Sequence, residues 1–337
     1  MRALFKTEQY FEEYISELQS ILDQNKDKVL DDEMKNLRMK VRNCLYREQI
    51  LIASYSMGAS LKAIRKLYLD AVNSVSANYV GEVVKFKMGR KIYDSLYVHH
   101  HDSILRLISI GILLDATEEL KKLQNKLYAL RITNRLFDKL INYKIPNHKI
   151  TSAENSDCPT AFNRIEKIAF KEAPDEKSLI RLQTNWYSTL NKSYFLWKDS
   201  HLTRGRGYFG YWSFSIAAIA KIHSMNSDKL INNIFFPTDM FLGSNTIHQY
   251  SISKEMGLLK RIDELICKMG GIRRSTNEIL ALRKDILRMK KLKYEATEKK
   301  VNTYILKIRN DYTHEVPLSE LAPYFDGIQM ELSKLEE

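Results

Sequence analysis

The sequence predicts an all-α protein: a multi-helix bundle in two halves, followed by a C-terminal helical extension that contains one long helix. Three observations carry this. Apolar residues recur every three to four positions through most of the chain, as in Leu120, Leu123, Leu127 and Leu130. Gly and Pro number only 12 and 6 in 337 residues, too few for the many turns of an all-β fold. Hydrophobic residues are 44% and charged residues 28%, a globular composition rather than a disordered one.

The elements follow in order. Tyr10, Phe11, Tyr14, Ile15, Leu18, Ile21 and Leu22 place a helix over 8–22. A second runs over 32–56, with Leu37, Val41, Cys44, Leu45, Ile52 and Tyr55 on one broad face. Met57-Gly58-Ala59-Ser60 is a turn, and Ser60 caps a helix carrying Leu61, Ile64, Leu67, Tyr68 and Val75. Residues 79–114 read as one or two more helices, and 117–142 as the most regular stretch of all. Pro146, Pro159 and Pro174 and many short polar residues make 145–175 a linker, with one short helix over 162–170. Helix resumes over 176–198, and 208–224 is a helix nearly free of charge, hence buried on most sides.

Beyond Gly243, Gly270-Gly271 breaks an amphipathic segment. Ser275-Thr276-Asn277-Glu278 then fits a capping box that opens a long helix to about 310. The expected organisation is an N-terminal half at 1–144, a linker at 145–175, a C-terminal half at 176–242 and an extension at 243–337.

Composition excludes several classes. Three cysteines, at 44, 158 and 267, cannot staple a secreted scaffold. The longest apolar runs, such as 108–114, fall far short of a membrane span, and Met1-Arg2-Ala3-Leu4-Phe5-Lys6 lacks the apolar core of a signal peptide. A cytoplasmic location is the expectation. Lys and Arg total 53 against 41 Asp and Glu, a net charge of +12. Residues 1–33 are net −5 and 310–337 net −6, leaving +23 for the middle. A basic body attracts anionic partners, among them nucleic acid or an acidic protein surface. A basic helical nucleic-acid-binding protein is therefore one alternative function. It is not the expected one, because no aromatic residues interleave with the cations as a stacking platform requires.

Few motifs carry chemistry. His99-His100-His101 cannot converge on one metal ion, since consecutive helical side chains point about 100° apart. No metal and no cofactor are expected. Arg204-Gly205-Arg206-Gly207 lacks the ending of a phosphate-binding loop, so Arg204 and Arg206 are candidates for a basic loop that touches an acidic partner. Arg309-Asn310, with His314 further on, resembles the active-site motif of HEPN-type helical ribonucleases. In that alternative Arg309 would hold a phosphate and His314 would act as acid or base. The same residues equally suit a helix C-terminus, where cations complement the dipole.

Three stretches together resemble the PoNi family, immunity proteins that neutralise polymorphic nuclease effectors of interbacterial competition. The first is Glu8-Gln9-Tyr10-Phe11-Glu12-Glu13-Tyr14-Ile15. The second is Tyr46-Arg47-Glu48 with Leu51-Ile52-Ala53-Ser54-Tyr55-Ser56-Met57-Gly58. The third joins Gly210-Tyr211-Trp212-Ser213-Phe214 to Ala217-Ala218-Ile219-Ala220-Lys221-Ile222 and Phe235-Phe236-Pro237-Thr238-Asp239. Within it Gly210, Tyr211, Trp212, Phe214, Pro237 and Asp239 are the structural motif, and Ser215 stands where the family pattern is more often acidic.

The resemblance covers about 1–242. It implies two PoNi-like halves and a non-enzymatic inhibitor of a DNase toxin encoded by an adjacent gene, acting by tight protein–protein binding. The extension could serve as a partner-binding arm, a dimerisation pair that makes a homodimer, or a degenerate ribonuclease-like module. A nuclease presents a basic cleft to DNA, so the acidic ends are candidate docking faces: Glu8, Glu12, Glu13 and Glu17 near the N-terminus, Asp326 and Glu331 near the other. The alternative, preferred because +23 is hard to hide, is contact with an acidic region of the toxin away from its active site.

Overall fold

The computed structural model describes residues 1–3, 5–152, 159, 162–171, 175–190, 195–198, 200–202 and 207–244. The chain divides into two compact units. One comprises 1–3, 7–198 and 208–250, and the other 4–6, 199–207 and 251–337. In the described part of the second, His201 sits in a 3-10 turn at Ser200–Leu202 and its ring lies 4.8 Å from that of Phe5.

The first unit is helical, as the periodicity predicts. Helix α1 (Glu8–Asn25) starts where the Thr7 side chain accepts a hydrogen bond from the Tyr10 N–H, and it buries Phe11, Tyr14, Leu18 and Leu22. Helix α2 (Glu33–Met57) is capped by Asp32 and stopped by Gly58 at φ 117°. Ser60 caps α3 (Leu61–Asn78) by accepting from the Ala63 N–H, as its position in the sequence indicates. Helices α1, α2 and α3 pack consecutively.

Residues 79–114 depart from expectation. After the single turn α4 (Gly81–Val84) the chain forms an antiparallel hairpin, β1 (Lys85–Met88) and β2 (Lys91–Leu96). Gly89, at φ 61°, and Arg90 make its two-residue turn. A left-handed first turn residue matches the twist of hairpin strands, and glycine reaches it without strain. Helix α5 (Val98–Leu113) then runs through the core, with every residue from Leu107 to Leu113 buried. It packs against α2, α3, α6 (Thr117–Ala129) and α7 (Arg135–Lys144). Gly111 is required here: a Cβ would stand 2.2 Å from the Tyr68 hydroxyl and 2.8 Å from Leu120.

The regular stretch 117–142 is two helices. Arg131 at φ 54° ends the first, and the Asn134 side chain caps the second by accepting from the Phe137 N–H. The short helix within the linker is α8 (Asn163–Ala169). The helix expected over 176–198 is broken into α9 (Glu176–Thr184) and α10 (Trp186–Thr189). The buried helix expected over 208–224 begins later, as α11 (Phe214–Ile222), because Gly210 at φ 125° holds 207–213 out of helical geometry. Helix α11 lies against α5, and α12 (Asp228–Ile231) and α13 (Thr238–Leu242) complete the unit.

Candidate functional site

The termini of the described first unit meet at a buried seam. Arg2 is 1% exposed and its Nε donates to Asp239 Oδ2 at 2.5 Å. Arg2 Nη1 donates to the carbonyls of Tyr55 and Ala59 at 3.0 and 2.8 Å, and the guanidinium lies 4.5 Å over the Tyr55 ring. The backbone N–H groups of Arg2 and Ala3 both donate to the Ser56 carbonyl.

One residue away, Ser56 Oγ donates to the Phe209 carbonyl at 2.6 Å and accepts from Trp212 Nε1 at 2.8 Å. A Cβ at Gly210 would stand 2.4 Å from both Ser56 Oγ and Trp212 Nε1, so glycine is needed for space as well as for φ. Tyr55 meets Trp212 edge-on at 5.1 Å. Tyr211 accepts at its carbonyl from Trp186 Nε1, and Phe214 is 1% exposed. Pro237 is the N-cap residue of α13, which carries Asp239. The motif Gly210, Tyr211, Trp212, Phe214, Pro237 and Asp239 is thus gathered in the core.

A second buried network ties α2 to α5. Glu48 accepts from Ser103 Oγ and, at 2.7 Å, from Arg106 Nε. Arg106 Nη1 lies 2.9 Å from Asp102 Oδ2, which also accepts from Trp197 Nε1 at 2.7 Å. Burial alone would pull the Arg106 guanidinium down. The carboxylates of Asp102 and Glu48 outweigh that and raise it. Burial raises the Asp102 carboxyl, with Arg106 and the Trp197 N–H opposing. This network was not legible in the sequence. Its only signal was a Glu inside an apolar helical face, at position 48.

The three histidines diverge. His99 is exposed, and His100 lies 3.3 Å from the Tyr79 hydroxyl. His101 meets Asn134 at 3.0 Å and sits between the rings of Phe137 and Phe162. Burial lowers both His100 and His101 to about 3, so both are neutral at physiological pH. Among the described residues no group of His, Cys, Asp or Glu is placed to hold a metal ion. Cys44 is buried and its thiol is raised to about 11 by burial. No described helix is long and apolar enough to cross a membrane.

Glu8, Glu12, Glu13 and Glu17 are exposed on α1, whose Phe11, Tyr14 and Leu18 are buried. Arg204, Arg206, Arg309, Asn310, His314, Asp326 and Glu331 lie outside the described residues, as do the capping box at 275–278 and the long helix after it. A polar groove of about 540 Å³ opens between α1, α2 and α3. Its charges are mixed, with Lys26, Lys28 and Lys40 beside Asp23, and Arg47 already paired with Asp70 at 2.6 Å.

This is an all-α protein, and within its first unit buried polar contacts join α2 to α5 and the segments at 2–59 to those at 209–239. Residues 2–125 match the family model described as PoNe immunity protein (PoNi), N-terminal, and residues 132–240 match the one described as PoNe immunity proteins (PoNi), C-terminal. The chain belongs to the PoNi family of immunity proteins. No curated protein matches it. Among solved structures, the crystal structure of protein PA2201 from Pseudomonas aeruginosa is similar at 17% identity, covering 68% of this chain and 86% of that chain with a TM-score of 0.48.

Proposed function

We propose that this chain is the cytoplasmic immunity protein of a polymorphic DNase toxin used in interbacterial competition, encoded beside the toxin gene. It neutralises that toxin by tight binding and performs no bond-breaking itself. The observation that carries this reading is the match of both family halves across 2–240. The seam supports it physically. Arg2, Tyr55, Ser56, Trp212 and Asp239 fix the two halves before any partner arrives, so little ordering cost remains at binding.

Charge sets where contact is made. A net charge of +12 favours an acidic region of the toxin over its basic DNA cleft. The exposed glutamates of α1 are the candidate contacts for the opposite arrangement, docking into the cleft.

Co-expression tests the function. Cells making the adjacent nuclease should grow only when this chain is also made, and the purified pair should elute as a stable complex. Death at an unchanged rate, or two separate peaks, would refute the proposal.

A further inference from the structure

A folded helical body keeps most large apolar side chains inside, yet the β1–β2 hairpin exposes three of them. Met88 is 63% exposed, Ile92 53% and Phe86 38%. The Phe86 ring lies 5.4 Å from that of Tyr93 and 5.7 Å from that of Tyr97, which in turn stacks on His99 at 6.0 Å. Met88 shares one face of the hairpin with Phe86 and Tyr93, whereas Ile92, paired with Lys87, lies on the other face. Exposed apolar groups that share a face, here the strip of Phe86 and Met88 beside Tyr93, mark contact sites.

Cations rim the strip. Lys85 is neutralised by Asp94 at 2.5 Å. Lys87 donates only to the Glu82 carbonyl, Lys91 lies 4.6 Å over the Tyr93 ring, and Arg90 occupies the turn. Among the described residues none of these three has a carboxylate partner. Met88, Arg90 and Lys91 therefore face outward.

We propose that this hairpin is the docking arm for an acidic, partly apolar face of the nuclease toxin, outside the toxin's nucleic-acid cleft. The proposal rests on the immunity reading. A basic cleft would repel Lys87, Arg90 and Lys91, and a second copy of the hairpin would bring the same cations together across a two-fold axis. An acidic protein surface has neither fault. The contact runs through side chains rather than through strand addition, because the lysines spaced along β1 disfavour pairing at its edge. Aromatic side chains and Arg are the usual anchors of such interfaces. Nucleic acid fits less well. The rings of Phe86, Tyr93 and Tyr97 contact one another, and the most exposed apolar groups, Met88 and Ile92, offer bases nothing to stack on.

The test uses the full chain and a catalytically inactive form of the adjacent nuclease. Two double variants are compared with wild type, Met88→Ser with Ile92→Ser, and Arg90→Glu with Lys91→Glu. All four positions are exposed, so thermal midpoints should stay within about 3 °C of wild type. The apolar variant should weaken the Kd at least about tenfold, mainly through faster dissociation. The charge variant should slow association about tenfold at low salt, and high salt should remove the difference. Wild-type affinity in both variants would overturn the hairpin proposal while leaving the immunity reading intact. A wild-type chain that forms no complex would overturn both. Binding of a single-stranded oligonucleotide that is lost in the variants, with toxin binding unchanged, would make the hairpin a nucleic-acid platform and overturn it as well.

Discussion

Arg2 and Asp239, 237 positions apart, form an ion pair of 2.5 Å in which both side chains are almost wholly buried. Charges so far from water persist only when each satisfies the other, and Arg2 has the Tyr55 and Ala59 carbonyls besides. The pair closes the N-terminus of the described unit onto α13.

Removing one partner strands the other. Arg2→Ala or Asp239→Ala should lower stability by about 3–5 kcal/mol, read from urea unfolding curves. A loss below about 1 kcal/mol would show that the pair is not buried in solution.

Gly210 and Gly89 both have positive φ, but only Gly210 is crowded. Gly210→Ala should cost at least about 3 kcal/mol, combining backbone strain with displacement of Ser56 and Trp212. Gly89→Ala has open space around it and should cost about 1 kcal/mol. Equal effects in the two variants would contradict the packing at 210.

Trp197→Phe keeps an aromatic ring near Arg106 and removes the N–H that Asp102 accepts. The expected loss is about 1–3 kcal/mol, the cost of leaving a buried acceptor with one donor fewer. A thermal midpoint unchanged within error would remove Trp197 from the network.

Stability should fall on the acid side of neutrality through His100 and His101. Their folded values are lowered to about 3 by burial, so between pH 6.5 and 3 the unfolded chain binds more protons than the folded one. Above pH 6.5 both states are neutral and the histidines contribute no slope. From pH 6.5 to 5 the loss should be roughly 2 kcal/mol for each histidine. A flat urea midpoint across that range would mean that these rings take up protons in the folded state.

The glutamates of α1 give a prediction of opposite sign to the hairpin. Changing Glu8, Glu12, Glu13 and Glu17 to Gln together should leave the association rate with the toxin at wild type or faster, measured by stopped flow at low salt. A tenfold slowing would move the docking face to α1 and into the basic cleft.

What the sequence determined by itself was local. Helix spacing, the cap at Ser60 and the turn at Gly58 depend on residues within one or two turns, and α1, α2 and α3 follow them closely. The motif residues of both halves were legible too, through their resemblance to the family. Tertiary structure decided the rest. Lys85–Leu96 carries enough apolar residues to read as helix, and the Gly89–Arg90 turn makes it a hairpin. The segment from Tyr208, nearly free of charge, reads as helix, yet its first residues are not helical, because Ser56 and Trp212 leave room only for a glycine at φ 125°. Three consecutive histidines were indistinguishable as letters, and neighbours from other helices bury two of them. Asp102 and Arg106 read as ordinary surface charges until α2 and α5 pack together. The physical reason is the same in each case: periodicity and capping act through bonds a few residues long, whereas burial and pairing depend on which distant segment arrives alongside.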